Sequence, residues 1–148
     1  MSSSRFDEPE RESPGFALWH LTREWERRLS LALRPYDITH PQFVLLACAY
    51  WLSRSGPSPT QVEIARQAGL DPKAVSPVLR RLESAGLIGR ATHTADSRAH
   101  QVTVTEAGVS LAQQTIAIVE SADQEFFAQL PKGFDRAVLE GSARLRGT

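Results

Sequence analysis

The stretch that decides the fold is Thr60–Arg90, TQVEIARQAGLDPKAVSPVLRRLESAGLIGR. It opens on Thr60-Gln61-Val62-Glu63, a capping box in which the threonine and glutamate side chains each satisfy an orphan backbone donor of a starting helix. A short helix follows to Ala68 and stops at Gly69, since glycine enters the left-handed conformation of a helix end without steric cost. Asp71 and Pro72 then supply the cap and first-turn residue of a second helix, which runs to Ala85 and ends at Gly86. Two helices of these lengths joined by a short glycine-containing turn make a helix-turn-helix.

Behind this unit the hydrophobic period changes. Ile88–Thr92 and His100–Val104 read as short strands, the second alternating with β-branched residues, and the polar HTADSRA between them reads as a turn. A hairpin directly behind a helix-turn-helix gives a winged arrangement. In front of it, Leu18, Trp25, Leu29 and Leu33 recur on one face of a long helix from Gly15 that Pro35 ends. Thr39 or His40 with Pro41 opens another, running through the apolar stretch to about Ser53, where Gly56-Pro57-Ser58-Pro59 breaks it. Behind the hairpin, Thr105 caps a long helix to about Leu130. Its seam is Val109, Ala112, Ile116, Val119, Phe126 and Leu130, interrupted by Asp123. After Pro131, Phe134–Leu145 forms a last helix. A long helix cannot bury such a seam alone, so the terminal helices call for a partner, most simply a second copy of the chain.

The expected fold is mainly α with a small β-hairpin wing. Its expected parts are a flexible tail over 1–14, helical dimerisation segments over 15–36 and 106–148, and a winged helix-turn-helix over 37–105. A chain of 148 residues, 41% hydrophobic and 23% charged, can bury one substantial core. One cysteine makes no internal disulfide and no cysteine-based zinc cluster. Met1 is followed by polar, charged sequence without the apolar core of a signal peptide. The longest apolar run, Phe43–Leu52, is about half of what a membrane span requires, and the expectation is a cytoplasmic protein.

Seventeen basic residues balance seventeen acidic ones, which argues against an indiscriminate polyanion binder. The charges are nevertheless segregated. Residues 71–100 hold five basic residues (Lys73, Arg80, Arg81, Arg90, Arg98) against three acidic ones, whereas 101–148 hold four against six.

The chain from Ile38 to Gly108 resembles the MarR family of bacterial transcription regulators. The pieces that carry the likeness are ITHPQFVLL, PTQVEIARQAGL, LRRLESAGLIGR, ADSR in the wing and VTVTEAG, in that order and at the family's spacing. The resemblance implies a homodimeric winged helix-turn-helix repressor or activator, acting on a pseudo-palindromic operator and responding to a small molecule.

In such a unit the second helix enters the major groove. Val75, Val78 or Leu79, and Leu82 should pack inward. The opposite stripe is Lys73, Ser76, Pro77, Arg80 and Ser84, from which Lys73, Ser76 and Arg80 can donate to phosphates or base edges. Arg81 adds charge beside them. Pro77 departs from the family's usual polar or basic residue. It either kinks a helix that starts at Asp71 or begins a shortened one, and the strength of Asp71-Pro72 as a start favours the kinked longer helix. In the wing stand Arg90, His93, Asp96 and Arg98. The family analogy sends Arg98 into the minor groove, with Asp96 orienting its guanidinium or pinning the turn.

For an effector, Trp19, His20, Arg23, Phe43, Ala47 and Trp51 could line an aromatic pocket whose arginine suits a carboxylate or phenolate, though aromatic residues at helical spacing more often form core. Cys48 lies in an apolar stretch with no neighbouring positive charge, the setting of a buried, inert thiol. His93, Asp96 and His100 have metal-ligand types but straddle a hairpin whose tip faces DNA, so neither metal nor cofactor is expected. No glycine-rich phosphate loop, G-x-S-x-G or H-E-x-x-H occurs, which speaks against an enzyme. The rival reading is a winged helix used as a protein-interaction module or anti-repressor, with no operator of its own.

Overall fold

The computed structural model describes residues 3–93 and 96–147, with the side chains of 92–99 outside that description. The elements are α1 (Pro9–Glu12), α2 (Pro14–Leu33), a 3-10 turn (Arg34–Tyr36), α3 (His40–Arg54), α4 (Gln61–Ala68) and α5 (Pro72–Ser84). They continue with β1 (Ile88–His93), β2 (Asp96–Val104), α6 (Glu106–Ala128) and α7 (Phe134–Arg146). The chain divides into two compact units, Leu33–Val119 and Met1–Ala32 with Glu120–Thr148.

In the larger unit the local chemistry of each helix end is visible. Thr39 and Gln42 make a full capping box at the start of α3, and Thr60 and Glu63 make another at α4. Gly69 ends α4 at φ 70°, its N–H donating back to the helix. Asp71 caps α5 by accepting from the Lys73 N–H at 2.7 Å. At the far end Gly86 adopts φ 76°, and the Leu87 N–H returns to the Leu82 carbonyl at 3.0 Å. The core of this unit is apolar. Leu45, Leu46 and Ala49 of α3, Ile64 and Ala65 of α4, and Val75, Leu79 and Leu82 of α5 are all within about 1% of full burial, joined by Ile88 and Val102 of the hairpin. Of the two inward candidates on α5, Leu79 fills the core and Val78 is half-buried.

The hairpin is longer than its sequence suggests. Its strands pair antiparallel from Ile88↔Val104 to Thr92↔His100, then shift register so that His93 faces Asp96. The HTADSRA stretch thus carries one strand pair, His93 with Asp96, where its polar residues suggest only a turn, because backbone pairing overrides low strand propensity. The segment before α4 joins the same sheet: the Val102 N–H donates to the Pro59 carbonyl at 2.8 Å, and Thr60 bridges to Gln101. Pro59 is fully buried there. A proline can hold this edge position because the bond uses its carbonyl and not its missing N–H.

The smaller unit contains most of α2, the end of α6, and α7. Asp123, which interrupts the apolar seam of α6, accepts a hydrogen bond from Trp25 Nε1 at 2.7 Å, so the break in the pattern is the partner of a half-buried indole. The tail region carries one helical turn, α1. The Glu12 carboxylate caps it by accepting from the Asp7 and Glu8 N–H groups at 3.0 and 3.3 Å. Among the described residues, no helix is long and apolar enough to cross a membrane.

Candidate nucleic-acid interface

The exposed face of α5 is built by exclusion. Once Val75, Leu79 and Leu82 are buried, the helical repeat leaves Lys73, Ala74, Pro77, Arg80, Arg81 and Ser84 exposed, with Ser76 half-buried. Pro77 stands inside a continuous helix, so the longer helix is the one formed and Asp71-Pro72 is its start.

Among the described residues Lys73, Arg80 and Arg81 hold no ion pair, and this sets them apart from the arginines of α2. There Glu24 takes Arg27 at 2.7 Å and Arg28 at 2.9 Å, and Arg23 meets Glu26 at 3.6 Å. The bonds from Arg27 and then Arg28 hold the Glu24 carboxyl well below its ordinary range, from 4.5 down to about 2. The α2 arginines are thus committed to glutamates of their own helix, with Arg28 also reaching Gln129 at 3.4 Å, while the α5 cations have no acidic partner among the described residues.

Arg90 is committed inside the protein. It is largely buried, with its side chain 18% exposed, and reaches Glu83 of α5 at 3.6 Å and Gln61 of α4 at 3.2 Å. It therefore ties the base of β1 to both helices of the helix-turn-helix. The side chains of His93, Asp96 and Arg98 lie outside the described residues, so the wing-tip contacts expected of them have no geometry to report. His100 is exposed on β2.

A joint that the sequence reading did not anticipate fixes the hairpin and α5 to the start of α6. Thr105 Oγ1 donates to the Gly86 carbonyl at 2.7 Å and accepts from the Gly108 N–H at 3.1 Å, while the Thr105 N–H donates to the Leu87 carbonyl at 3.0 Å. A Cβ on Gly108 would stand 2.0 Å from that same Leu87 oxygen. A glycine in the first turn of a strongly capped helix is the signal that could have revealed it, since such a residue weakens a helix unless close approach requires it.

The effector candidates fall into both units. Trp19 is 59% exposed with the Arg23 guanidinium 5.7 Å from its ring centroid, and His20 meets Phe16 edge-on at 4.5 Å. In the larger unit Phe43 is buried in the core, Ala47 is half-buried, and Trp51 is 51% exposed beneath Arg54 at 5.0 Å. The smaller unit also holds an apolar cavity of about 190 Å³ between α2, α6 and α7, lined by residues including Leu18, Trp25, Phe127 and Val138. Cys48 is half-buried, and burial pushes its thiol up from the ordinary value. Among the described residues no cluster of His, Cys, Asp or Glu could hold a metal ion.

A helix-turn-helix with a paired wing, a sealed inner face and free cations on the outer face of its second helix defines a winged-helix DNA-binding regulator. Residues 34–121 match the ArnR1-like winged-helix domain. The chain is 38% identical over 129 residues to the helix-turn-helix transcriptional regulator YdcH of Bacillus subtilis, covering 87% of both chains. It is 35% identical over 116 residues to the transcriptional repressor Rv2887 of Mycobacterium tuberculosis, covering 78% of this chain and 81% of that one. The structure of Rv2887 in complex with salicylic acid superposes with TM-score 0.64 at 31% identity, over 93% of this chain and 99% of that one. The Staphylococcus aureus MepR–DNA complex shares the fold at TM-score 0.78 and 22% identity, over 91% of this chain and 97% of that one.

This chain belongs to the MarR family of winged helix-turn-helix transcriptional regulators. Its relatives are regulators of transcription rather than enzymes.

Proposed function

We propose that the protein acts as a homodimeric, ligand-responsive repressor that reads a pseudo-palindromic operator. The observation that carries this reading is the row of cations Lys73, Arg80 and Arg81, without an ion pair among the described residues, on the exposed face of α5 opposite its buried apolar face. Ser76 adds a hydroxyl donor and Ser84 extends the row toward the helix end. In the wing, Arg98 is the minor-groove contact, with Asp96 and His93 shaping the tip; Arg90 acts from below by holding the hairpin to α4 and α5. Residues 37–105 are the reading unit, and the helices within 15–36 and 106–148 bring two copies together.

Dimerisation is supported by apolar surface that the single chain leaves uncovered. Leu18 is 60% exposed, Leu139 70% and Leu145 91%, all on α2 and α7 of the smaller unit. Exposed apolar surface of this kind is expected at a subunit contact. For the effector, the complex of Rv2887 with salicylic acid supports a small aromatic acid. Trp19, His20 and Arg23 of the smaller unit are one set of candidate contacts, pairing aromatic surface with a guanidinium suited to a carboxylate, and Phe43, Ala47 and Trp51 of the larger unit are a separate set.

The test is binding of the purified protein to its own promoter across a salt series, with its mass measured by light scattering. Three phosphate contacts per α5 predict that log affinity falls with log salt at a slope of about −5 for a dimer, and wing contacts would add to it. Arg98→Ala should lower affinity severalfold while the mass stays that of a dimer. A protein-interaction module would show no operator at all, and a monomeric mass would remove the two-half-site reading.

A further inference from the structure

We propose that Pro77, with Ala74 beside it, reads thymine: the pair forms an apolar strip on the outer face of α5 that meets the 5-methyl group of a thymine in each operator half-site. This rests on the DNA-reading function proposed above and names the base chemistry at its centre.

Neither side chain belongs to the buried face of α5. The buried face of α5 is completed by Val75, Leu79 and Leu82, and both Ala74 and Pro77 are exposed. Pro77 carries no N–H, so the helix gives up the hydrogen bond to the Lys73 carbonyl, and its ring offers no donor to a base edge or phosphate. A polar readout from this position is therefore closed. What remains is a rigid apolar surface, and its surroundings say what it faces. On a helix, residues three and four apart are neighbours. Those of Pro77 on the exposed side are Lys73, Ala74, Arg80 and Arg81, so a small apolar strip is bracketed by three cations that hold no ion pair among the described residues. Cations at the flanks suit phosphates. An apolar centre suits the one apolar group that the four bases present in the major groove, the thymine methyl.

One experiment distinguishes thymine reading from DNA binding as a whole. A duplex is selected from random-sequence DNA by the full-length protein, and each thymine is replaced in turn by 2′-deoxyuridine, which removes the methyl and leaves every hydrogen-bonding group. Affinity is read by fluorescence anisotropy. One thymine per half-site should lose about fourfold for its methyl, and about fifteenfold when both half-sites are changed. Pro77→Ser, with Ala74 still in place, should lose most of the preference for thymine over uracil, its helix content checked by circular dichroism. Uracil tolerated at every position overturns the proposal on the parent protein alone, whatever the variant does. A variant that keeps the full methyl preference overturns the role of Pro77. Failure to enrich any sequence overturns the DNA reading itself and the proposal with it.

Discussion

Gly108→Ala probes the joint between the hairpin and α6. The added methyl would stand 2.0 Å from the Leu87 carbonyl oxygen and 2.8 Å from Val104 Cγ1. An ordinary carbon–oxygen contact is about 3.3 Å, so the start of α6 must withdraw by about 1.3 Å. That withdrawal breaks or stretches the bonds that tether Thr105 to Gly86 and Leu87. Two such bonds are worth about 1 kcal/mol each, and forcing a methyl against packed backbone costs about 1–3 kcal/mol more. Alanine returns about 1 kcal/mol of helix propensity, leaving a net loss of about 2–4 kcal/mol. Urea unfolding should report that loss, with a fall in Tm of roughly 10 °C. Gly141→Ala in α7 is the matched control: nothing lies within 4 Å of its would-be Cβ, and its φ is not positive. It should be neutral or stabilising by up to about 1 kcal/mol. A Gly108→Ala protein within 0.5 kcal/mol of the parent, by the usual tolerance of about that size for a neutral change, would refute the reasoning.

Three further outcomes follow from the geometry. Arg90→Ala should lower stability and operator affinity while leaving the salt slope unchanged, because the guanidinium holds Glu83 and Gln61 rather than a phosphate; a slope reduced by about one unit would make it a DNA contact. The Glu24 carboxyl is lowered in the folded chain, so its stabilisation is present above its unfolded value of 4.5 and is lost as pH falls toward about 2. Glu24→Gln should flatten the stability curve in that window, and an unchanged acid limb would refute the pairing with Arg27 and Arg28. The Cys48 thiol is raised by burial, so at pH 8 it should react with iodoacetamide more slowly than free cysteine; equal or faster alkylation would contradict that environment.

How much of this was legible beforehand depends on the range over which each signal acts. The helix ends at Thr60, Gly69 and Asp71 could be placed from sequence, and the start of α3 to one residue at Thr39 or His40, because caps are satisfied by residues two or three positions away. The inward face of α5 was legible for the same reason, except that periodicity left Val78 and Leu79 as alternatives and packing chose Leu79. What stayed hidden is carried by partners far along the chain. Asp123 looked like a flaw in an apolar seam and is the acceptor for Trp25, ninety-eight residues earlier. Arg90 looked like a free wing cation and is spent on Gln61, twenty-nine residues earlier. Pro59 looked like a breaker and is a buried sheet edge. Periodicity describes one element at a time, so a polar residue whose partner sits on another element is misread as a defect or as a free site.

The balanced charge count shows why pairing matters more than composition. The larger unit carries eight basic and six acidic residues, and the smaller carries nine and eleven, a segregation too weak by itself to draw the chain to DNA. Pairing differs from helix to helix. In the smaller unit Arg11, Arg23, Arg27 and Arg28 each have a glutamate three or four residues away within 3.6 Å, so their field is cancelled where it arises. On α5 the only acidic side chains are Asp71 at the cap and Glu83 near the end. Asp71 is turned onto the Lys73 backbone and Glu83 onto Arg90, so neither quenches the row between them. The acidic residues of the reading helix therefore do structural work at its two ends, which leaves the cations in between exposed. Such a surface gives little non-specific attraction at a distance, where the net charge governs, and strong attraction at contact, where the unpaired groups do. That combination favours a regulator that holds its operator and releases other DNA.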